Sequence, residues 1–218
     1  MSSTISESSK SWPRKGSLRT TVVTDSCFID EKKSHHQYET PPGCCLQRIT
    51  RFILHDEDIC CLMALSALPR GCKHHVFPSF HGPDVRRGFL SYLLKEFKEK
   101  AIDVFIDNDI ERSKLIGPEL TEAIRGSLIA VVLISKNYAS STWCLNELVE
   151  IMKCRDDYNQ TVMVIFYEVD PSDVKKQKGD FGAVFDRTCA EKSTEEVERW
   201  RKALHIVAQI AGYHTSNL

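Results

Sequence analysis

From Lys73 onward the sequence predicts an α/β fold with a parallel sheet covered by helices on both faces. Three observations carry that reading. Apolar runs at residues 75–80, 102–106, 128–134 and 162–167 alternate with segments of helical period. The connections between them are short. The run 128–134 is apolar without interruption, the pattern of a strand buried on both sides. Alternation of this kind builds right-handed crossovers onto a parallel sheet.

Each element has its own signal. The first strand, 75–80, contains Pro78, which cannot donate to a ladder and so points to an edge or a bulge. A loop at 81–84 follows. Val85, Phe89, Leu93 and Phe97 recur every four residues and predict one helix with a single apolar face. Lys95, Lys98 and Lys100 sit near its C-terminus, where the helix dipole favours cations. Residues 102–106 form the second strand, and a polar loop runs from 107 to 117. Pro118 opens a helix that turns Leu120, Ala123 and Ile124 inward and closes at Gly126. After the third strand, Ser140, Ser141 and Thr142 offer N-cap oxygens. The helix they start, about 143–154, presents Leu145, Leu148, Val149 and Met152 to the core. The fourth strand spans 162–167, and residues 170–173 begin another turn and helix. A last helix, about 194–211, carries Val197, Trp200, Leu204, Val207 and Ala208 at helical spacing.

The first 72 residues are different. Ser and Thr fill 11 of the first 24 places, and no period is visible, so a disordered extension is expected over 1–72. Its one apolar block, 59–68, is too short to cross a bilayer, which takes about 20 residues. The block reads as a short helix packed on the following domain. Acylation of Cys60 or Cys61 would make it a weak membrane-surface anchor. Of nine cysteines, six lie in this region, at 27, 44, 45, 60, 61 and 72. The odd count and irregular spacing do not describe a disulfide framework, so a reducing cytoplasmic setting is expected, with a peripheral membrane or nuclear pool as variants. Lys and Arg total 29 against 30 Asp and Glu, a formal charge of -1, which leaves no field to attract nucleic acid.

Open α/β sheets bind ligands at the carboxyl ends of their strands. The loops in question are 81–84, 107–117, 135–143 and 168–173. None carries a dinucleotide or phosphate fingerprint, and no nucleophile elbow or C-x-x-C occurs. His74-His75 has no partner at ligand spacing, so no metal site is expected. One carboxylate stands out. Glu147 lies one turn into the helix after the third strand, between Trp143 at i-4 and Ile151 at i+4, off the Leu145/Leu148 face. Apolar neighbours disfavour its charged form. The competing reading is a simple partner for the helix dipole. Asp107 and Asp109 read first as solvated loop residues.

Several segments together carry a resemblance. His75-Val76-Phe77-Pro78-Ser79-Phe80-His81-Gly82-Pro83-Asp84-Val85-Arg86 resembles the opening motif of plant TIR (Toll/interleukin-1 receptor) domains. Tyr138-Ala139-Ser140-Ser141-Thr142-Trp143-Cys144-Leu145-Asn146-Glu147-Leu148 resembles their most specific signature. Phe166-Tyr167-Glu168-Val169-Asp170-Pro171-Ser172-Asp173-Val174, the 179–185 stretch and Trp200-Arg201-Lys202-Ala203-Leu204 add three more matches. The wording is most similar to TIR domains of crucifer downy-mildew resistance receptors of the TIR-NBS-LRR type. The resemblance covers 73–214, with 215–218 as a tail.

The resemblance implies a flavodoxin-like three-layer fold and a role in innate immunity. It also implies hydrolysis of NAD+ or NADP+ as substrate, with no cofactor, when the domains self-associate. Glu147 falls on the family's catalytic glutamate. His81, Gly82, Asp84, Arg86, Asp109, Ser141 and Trp143 fall on the substrate side, and Trp143 offers a wall for the nicotinamide ring. Ser91, Tyr92 and Gly212 fall on self-association positions. Implied partners are a second TIR domain of the same chain or of an immune receptor. The chain departs from the family pattern at His81, where many members have Arg, at Tyr92, where His is frequent, and at Ser113, where Gly is usual. The sequence stops at Leu218, ahead of the family's last helix. The alternative expectation is a non-catalytic adaptor or decoy that pairs with TIR-NBS-LRR receptors.

Overall fold

Alternation of side chains along the strands sorts the core into two layers around one parallel sheet. The structure, a computed structural model, describes residues 71–106 and 117–215. Residues 1–70 of the expected 1–72 extension, with its 59–68 block, Asp109 with the rest of 107–116, and residues 216–218 lie outside the described residues. The sheet contains β1 (His74–Phe80), β2 (Ser127–Ser135), β3 (Thr161–Tyr167) and β4 (Tyr213–His214), in that order and all parallel. On the far side of β1, Val104 makes a single parallel bridge to Val76. Running across the sheet, the order is therefore Val104, β1, β2, β3, β4. The chain steps to one side of β1 and then returns to build on the other.

The helices are α1 (Gly82–Val85), α2 (Phe89–Glu99), α3 (Pro118–Arg125), α4 (Thr142–Tyr158), α5 (Pro171–Lys176), α6 (Gly179–Cys189) and α7 (Thr194–Val207). A short 3-10 turn, Tyr138–Ser140, precedes α4. On β2, Ile129, Val131 and Leu133 join Val85, Phe89, Leu93 and Phe97 of α1 and α2 in one layer. Ala130, Val132 and Ile134 join α3, α4, α6 and α7 in the other. The unbroken apolar run of β2 is thus explained by burial on both faces. At the α4–α7 contact, the Trp200 indole N–H donates to Asn146 Oδ1 at 2.8 Å.

Three expectations are corrected. The single helix expected from Val85 to Phe97 is two, α1 and α2, separated by a turn at 86–88. Gly88, with φ -123° and ψ -103°, breaks the helical path while its N–H bonds the Val85 carbonyl at 3.2 Å. The four-residue apolar spacing survives the break because all four side chains still reach the same layer. The expected second strand supplies only the Val104 bridge among the described residues. There the Asp103 N–H is claimed by His75 Nδ1 at 3.0 Å instead of by a ladder carbonyl. The last helix ends at Val207, not near 211. Gln209 and Ile210 close it with bonds to the Ile206 and Val207 carbonyls three residues back. Gly212 then passes so close to β3 that a Cβ would lie 2.7 Å from the Val164 carbonyl oxygen. Pro78 behaves as expected. Val76 bonds toward the Val104 side, so Pro78, two residues on, faces the side where no strand among the described residues pairs with it.

One clasp fixes the start of α1 against the end of β2. Asp84 Oδ2 accepts from Ser135 Oγ at 2.6 Å and from Asn137 N at 3.0 Å, and Oδ1 accepts from Asn137 Nδ2 at 3.0 Å. His81 Nδ1 lies 3.1 Å from Oδ1, an ion-pair distance at an angle too poor for a hydrogen bond. Burial pushes the Asp84 carboxyl up, but the Ser135 and Asn137 bonds and the His81 charge outweigh it, and the net is below the usual value.

Two predictions follow from these contacts. A Cβ at Gly182 would sit 2.3 Å from the Gln177 carbonyl oxygen, where α6 leaves the end of α5. Gly182→Ala is expected to cost about 1–3 kcal/mol, read as a lower midpoint in urea unfolding. An unchanged midpoint would show that the Gln177 carbonyl yields freely. For Asp84, a depressed folded-state value means stability that is present above the ordinary Asp value, about 3.9. It is lost as pH falls through the folded-state value. Asp84→Asn should therefore flatten the loss of stability on acidification below about pH 5, compared with wild type. Parallel acid profiles for the two proteins would contradict the clasp.

Candidate functional site

A cavity of about 410 Å³ opens at the carboxyl ends of β1 and β2. This is where the chain reverses its direction across the sheet, the position at which open α/β sheets bind ligands. Its size is within the usual range of ligand pockets. Phe80, His81 and Gly82 enter it from the end of β1. Ser141, Trp143 and Glu147 enter it from the start of α4.

Local chemistry sets both walls. Ser141 caps α4, its Oγ accepting from Cys144 N at 3.3 Å, so the helix begins at Thr142 and aims Trp143 and Glu147 one turn apart. Ser140 gives its one hydroxyl proton to the Asn137 carbonyl at 2.7 Å. Its oxygen then accepts from His81 Nε2 at 3.3 Å, which joins the two walls. The Cys144 thiol donates to the Phe80 carbonyl at 3.3 Å and adds a second tie.

Glu147 lies at the base of this arrangement with 7% of its surface exposed. The Trp143 indole N–H donates to Oε1 at 2.7 Å, and Ser79 Oγ donates to Oε2 at 2.6 Å. Ser79 in turn contacts the Tyr138 hydroxyl at 2.7 Å, and that hydroxyl donates to the Cys144 carbonyl at 3.0 Å. Burial first, then interactions with Cys144 and Glu147, push the Tyr138 phenol well above its ordinary value, against the Ser79 bond. A carboxylate held by two donors, Trp143 and Ser79, in a cavity lined by both polar and apolar groups is fixed in orientation. Such a group is suited to stabilising positive charge that develops on a bound molecule.

The cavity brings together five of the residues expected from sequence: His81, Gly82, Ser141, Trp143 and Glu147. Trp143 plays a part that sequence reasoning missed, as a hydrogen-bond donor to Glu147. Asp84 stands behind His81 in the loop clasp, outside the lining. Arg86 also lies outside it, with its guanidinium 5.2 Å from the centre of the Phe80 ring. Ser91 and Tyr92 are on α2, where the Ser91 hydroxyl donates to the Arg86 carbonyl, and Gly212 lies against β3. These three do not meet the cavity. Ser79 and Tyr138 were not expected. The available signal was Ser79, a hydroxyl in the same strand phase as the buried Phe77.

Among the described residues, no three or more His, Cys, Asp or Glu side chains converge as a metal cage. No helix among them is long and apolar enough to cross a membrane. The four described cysteines, Cys72, Cys144, Cys154 and Cys189, are thiols outside any disulfide. Burial chiefly, with the Glu150 charge, pushes Cys154 up to about 11.

Comparison with known proteins places this geometry. Residues 73–218 match the family model described as TIR domain. Probable disease resistance protein RPP1 of Arabidopsis thaliana is 65% identical over 150 residues, 69% of this chain and 13% of that protein. Disease resistance protein TAO1 of the same plant is 52% identical over 174 residues, 78% of this chain and 15% of that protein. The chain thus spans a small fraction of the length of the curated relatives it matches. Among solved structures, the TIR domains of the activated Roq1 resistosome directly recognizing the pathogen effector XopQ superpose with a TM-score of 0.61 at 43% identity. That match covers 66% of this chain and 89% of the other. The parallel sheet, its surrounding helices and the sequence matches agree, and the chain belongs to the TIR domain family.

Proposed function

We propose that this chain is an innate-immune signalling module of plant defence. On self-association it hydrolyses NAD+ or NADP+ at the nicotinamide N-glycosidic bond. The observation that carries the reading is Glu147: a carboxylate buried and oriented by two donors at the base of the switch-point cavity. Likeness to disease resistance proteins and to the TIR domains of a resistosome supports the immune role and the self-association.

The chemistry suits one carboxylate. Nicotinamide is bound to the ribose as a cation and leaves as a neutral base, taking the bonding electron pair, so no acid need protonate it. Positive charge then passes to the ribosyl ring, an oxocarbenium-like state of the kind met in other glycosidic cleavages. Glu147 faces that charge from the base of the cavity, held in place by Trp143 and Ser79. Water adds to the anomeric carbon and gives up a proton. Gly82, buried at the first turn of α1, keeps that wall low. Trp143 holds the carboxylate and lines the same space.

TIR domains of the same chain or of immune receptors are the proposed partners. The thiols of the four described cysteines, none of them in a disulfide, and the near-neutral charge support a cytoplasmic location. The adaptor reading draws on Tyr92, a departure from the family pattern on α2, and the same measurement separates the two.

Purified protein at high concentration with a crowding agent is expected to consume NAD+ and release nicotinamide. Glu147→Gln should lower that rate about 100-fold or more. Equal rates for the two proteins would sink the catalytic assignment. No turnover by the wild type, with association to receptor TIR domains intact, would establish the adaptor instead.

A further inference from the structure

Three oxygen–oxygen contacts link Glu147 to the backbone of α4 through two hydroxyl groups. Ser79 Oγ is 2.6 Å from Glu147 Oε2 and 2.7 Å from the Tyr138 oxygen, which is 3.0 Å from the Cys144 carbonyl. Neither Ser79 nor Tyr138 has exposed surface. The raised phenol keeps its proton at neutral pH. Two hydroxyl protons therefore serve three contacts.

The two states of Glu147 use those protons differently. With the carboxyl ionised, Ser79 donates to it, and Tyr138 must divide one proton between Ser79 and the Cys144 carbonyl. With the carboxyl protonated, it donates to Ser79, Ser79 donates to Tyr138, and Tyr138 donates to Cys144. All three contacts are then filled. The Cys144 carbonyl lies within α4 and keeps its helical bond in either state, so what differs between the states is the use made of the phenol.

The geometry points to Ser79 and Tyr138 as positioning residues that set the protonation of Glu147 in opposite directions. Ser79 favours the carboxylate, because its bond to a charged oxygen is stronger than its bond to a neutral acid. Tyr138 favours the acid, because only the acid state makes full use of the phenol as both acceptor and donor. Removing the phenol takes away the acceptor that Ser79 uses when Glu147 is protonated and donates to it.

Among the described residues, the other titratable groups at this cavity are His81, from the loop after β1, with Asp84 paired behind it, and Cys144 on α4. β1 also contributes Phe77, and α3 contributes Leu120. α6, packed on the 3-10 turn, buries Phe181 and Phe185 and leaves Asp180, Asp186 and Arg187 exposed. Neither substitution below touches any of the charged groups, so their contribution cancels against wild type.

The rate readout rests on the hydrolase reading; the spectroscopic readout does not. The full chain is titrated by infrared difference spectroscopy, each protein against its own Glu147→Gln partner, following the carboxylic acid C=O stretch. The acid limb of NAD+ turnover is measured in parallel. Tyr138→Phe is expected to move both midpoints to lower pH, and Ser79→Ala to higher pH, each by roughly half a unit or more. Both variants remove one oxygen and add no bulk, and a cooperative melt verifies that each is folded. Midpoints that stay put, or that move the same way in both variants, overturn the assignment. Opposite infrared shifts without turnover uphold the positioning roles and reject the hydrolase. Turnover that depends on Glu147 with unmoved midpoints does the reverse.

Discussion

Val131, Val132, Leu133 and Ile134 of β2 have no exposed surface, and the strand is paired on both edges. A strand that must bury both faces and both edges requires a helical layer on each side and a strand at each flank. The apolar sequence of β2 thus commits the chain to a three-layer architecture. It also forces the crossovers to alternate sides of the sheet, which creates a reversal at β1 and a gap at the carboxyl ends of the strands. The cavity is a by-product of that topology. Its contents are what α1, the 3-10 turn and the start of α4 place around it.

Within that scaffold, a carboxyl group in the core is an expensive choice. Its desolvation is offset only if donors reach it, and Ser79 and Trp143 do so from a strand and a helix that are themselves fixed by packing. Nothing in the packing of α4 needs an ion there. Leu145, Leu148, Ile151 and Met152 already fill the inward face, and an apolar side chain would serve stability at least as well. The network is understood more readily as a device for holding one carboxylate in one orientation than as a source of stability.

How much of this could be read from the chain depends on the range of the signal. The strands were legible because runs such as 128–134 carry their own burial pattern. Glu147 could be singled out by its indole neighbour one turn back, although its position off the Leu145/Leu148 face gave no sign of burial, since α4 is buried on most sides. The break between α1 and α2 left no trace in the apolar spacing, because a turn at Gly88 returns the chain to the same layer. The weak second strand was overcalled because Val104 and Ile106 look like ladder residues. The Asp103 carbonyl still accepts from β1, but its N–H is diverted to the His75 ring, 28 residues away in sequence. Ser79 and Tyr138 escaped notice for the same reason. Each looks like a minor core residue until the 59-residue gap between them closes.

Long-range closure also reassigns Asp84. On sequence it resembled a group that meets substrate, yet its two oxygens are engaged by Ser135, Asn137 and His81. Those partners belong to the two segments that form opposite walls of the cavity. One carboxylate therefore sets the separation of the walls, and the Ser140–His81 and Cys144–Phe80 bonds repeat the tie further in. With the walls fixed, the orientation of Glu147 relative to His81 and Gly82 is fixed as well, without either residue touching it. Two acidic groups thus have separate tasks here, Asp84 half-buried behind the lining and Glu147 buried at the base of the cavity. The difference lies in their partners. Asp84 is surrounded by donors from loops that must be joined. Glu147 is held from behind by groups that belong to the core, and its cavity lies in front of it.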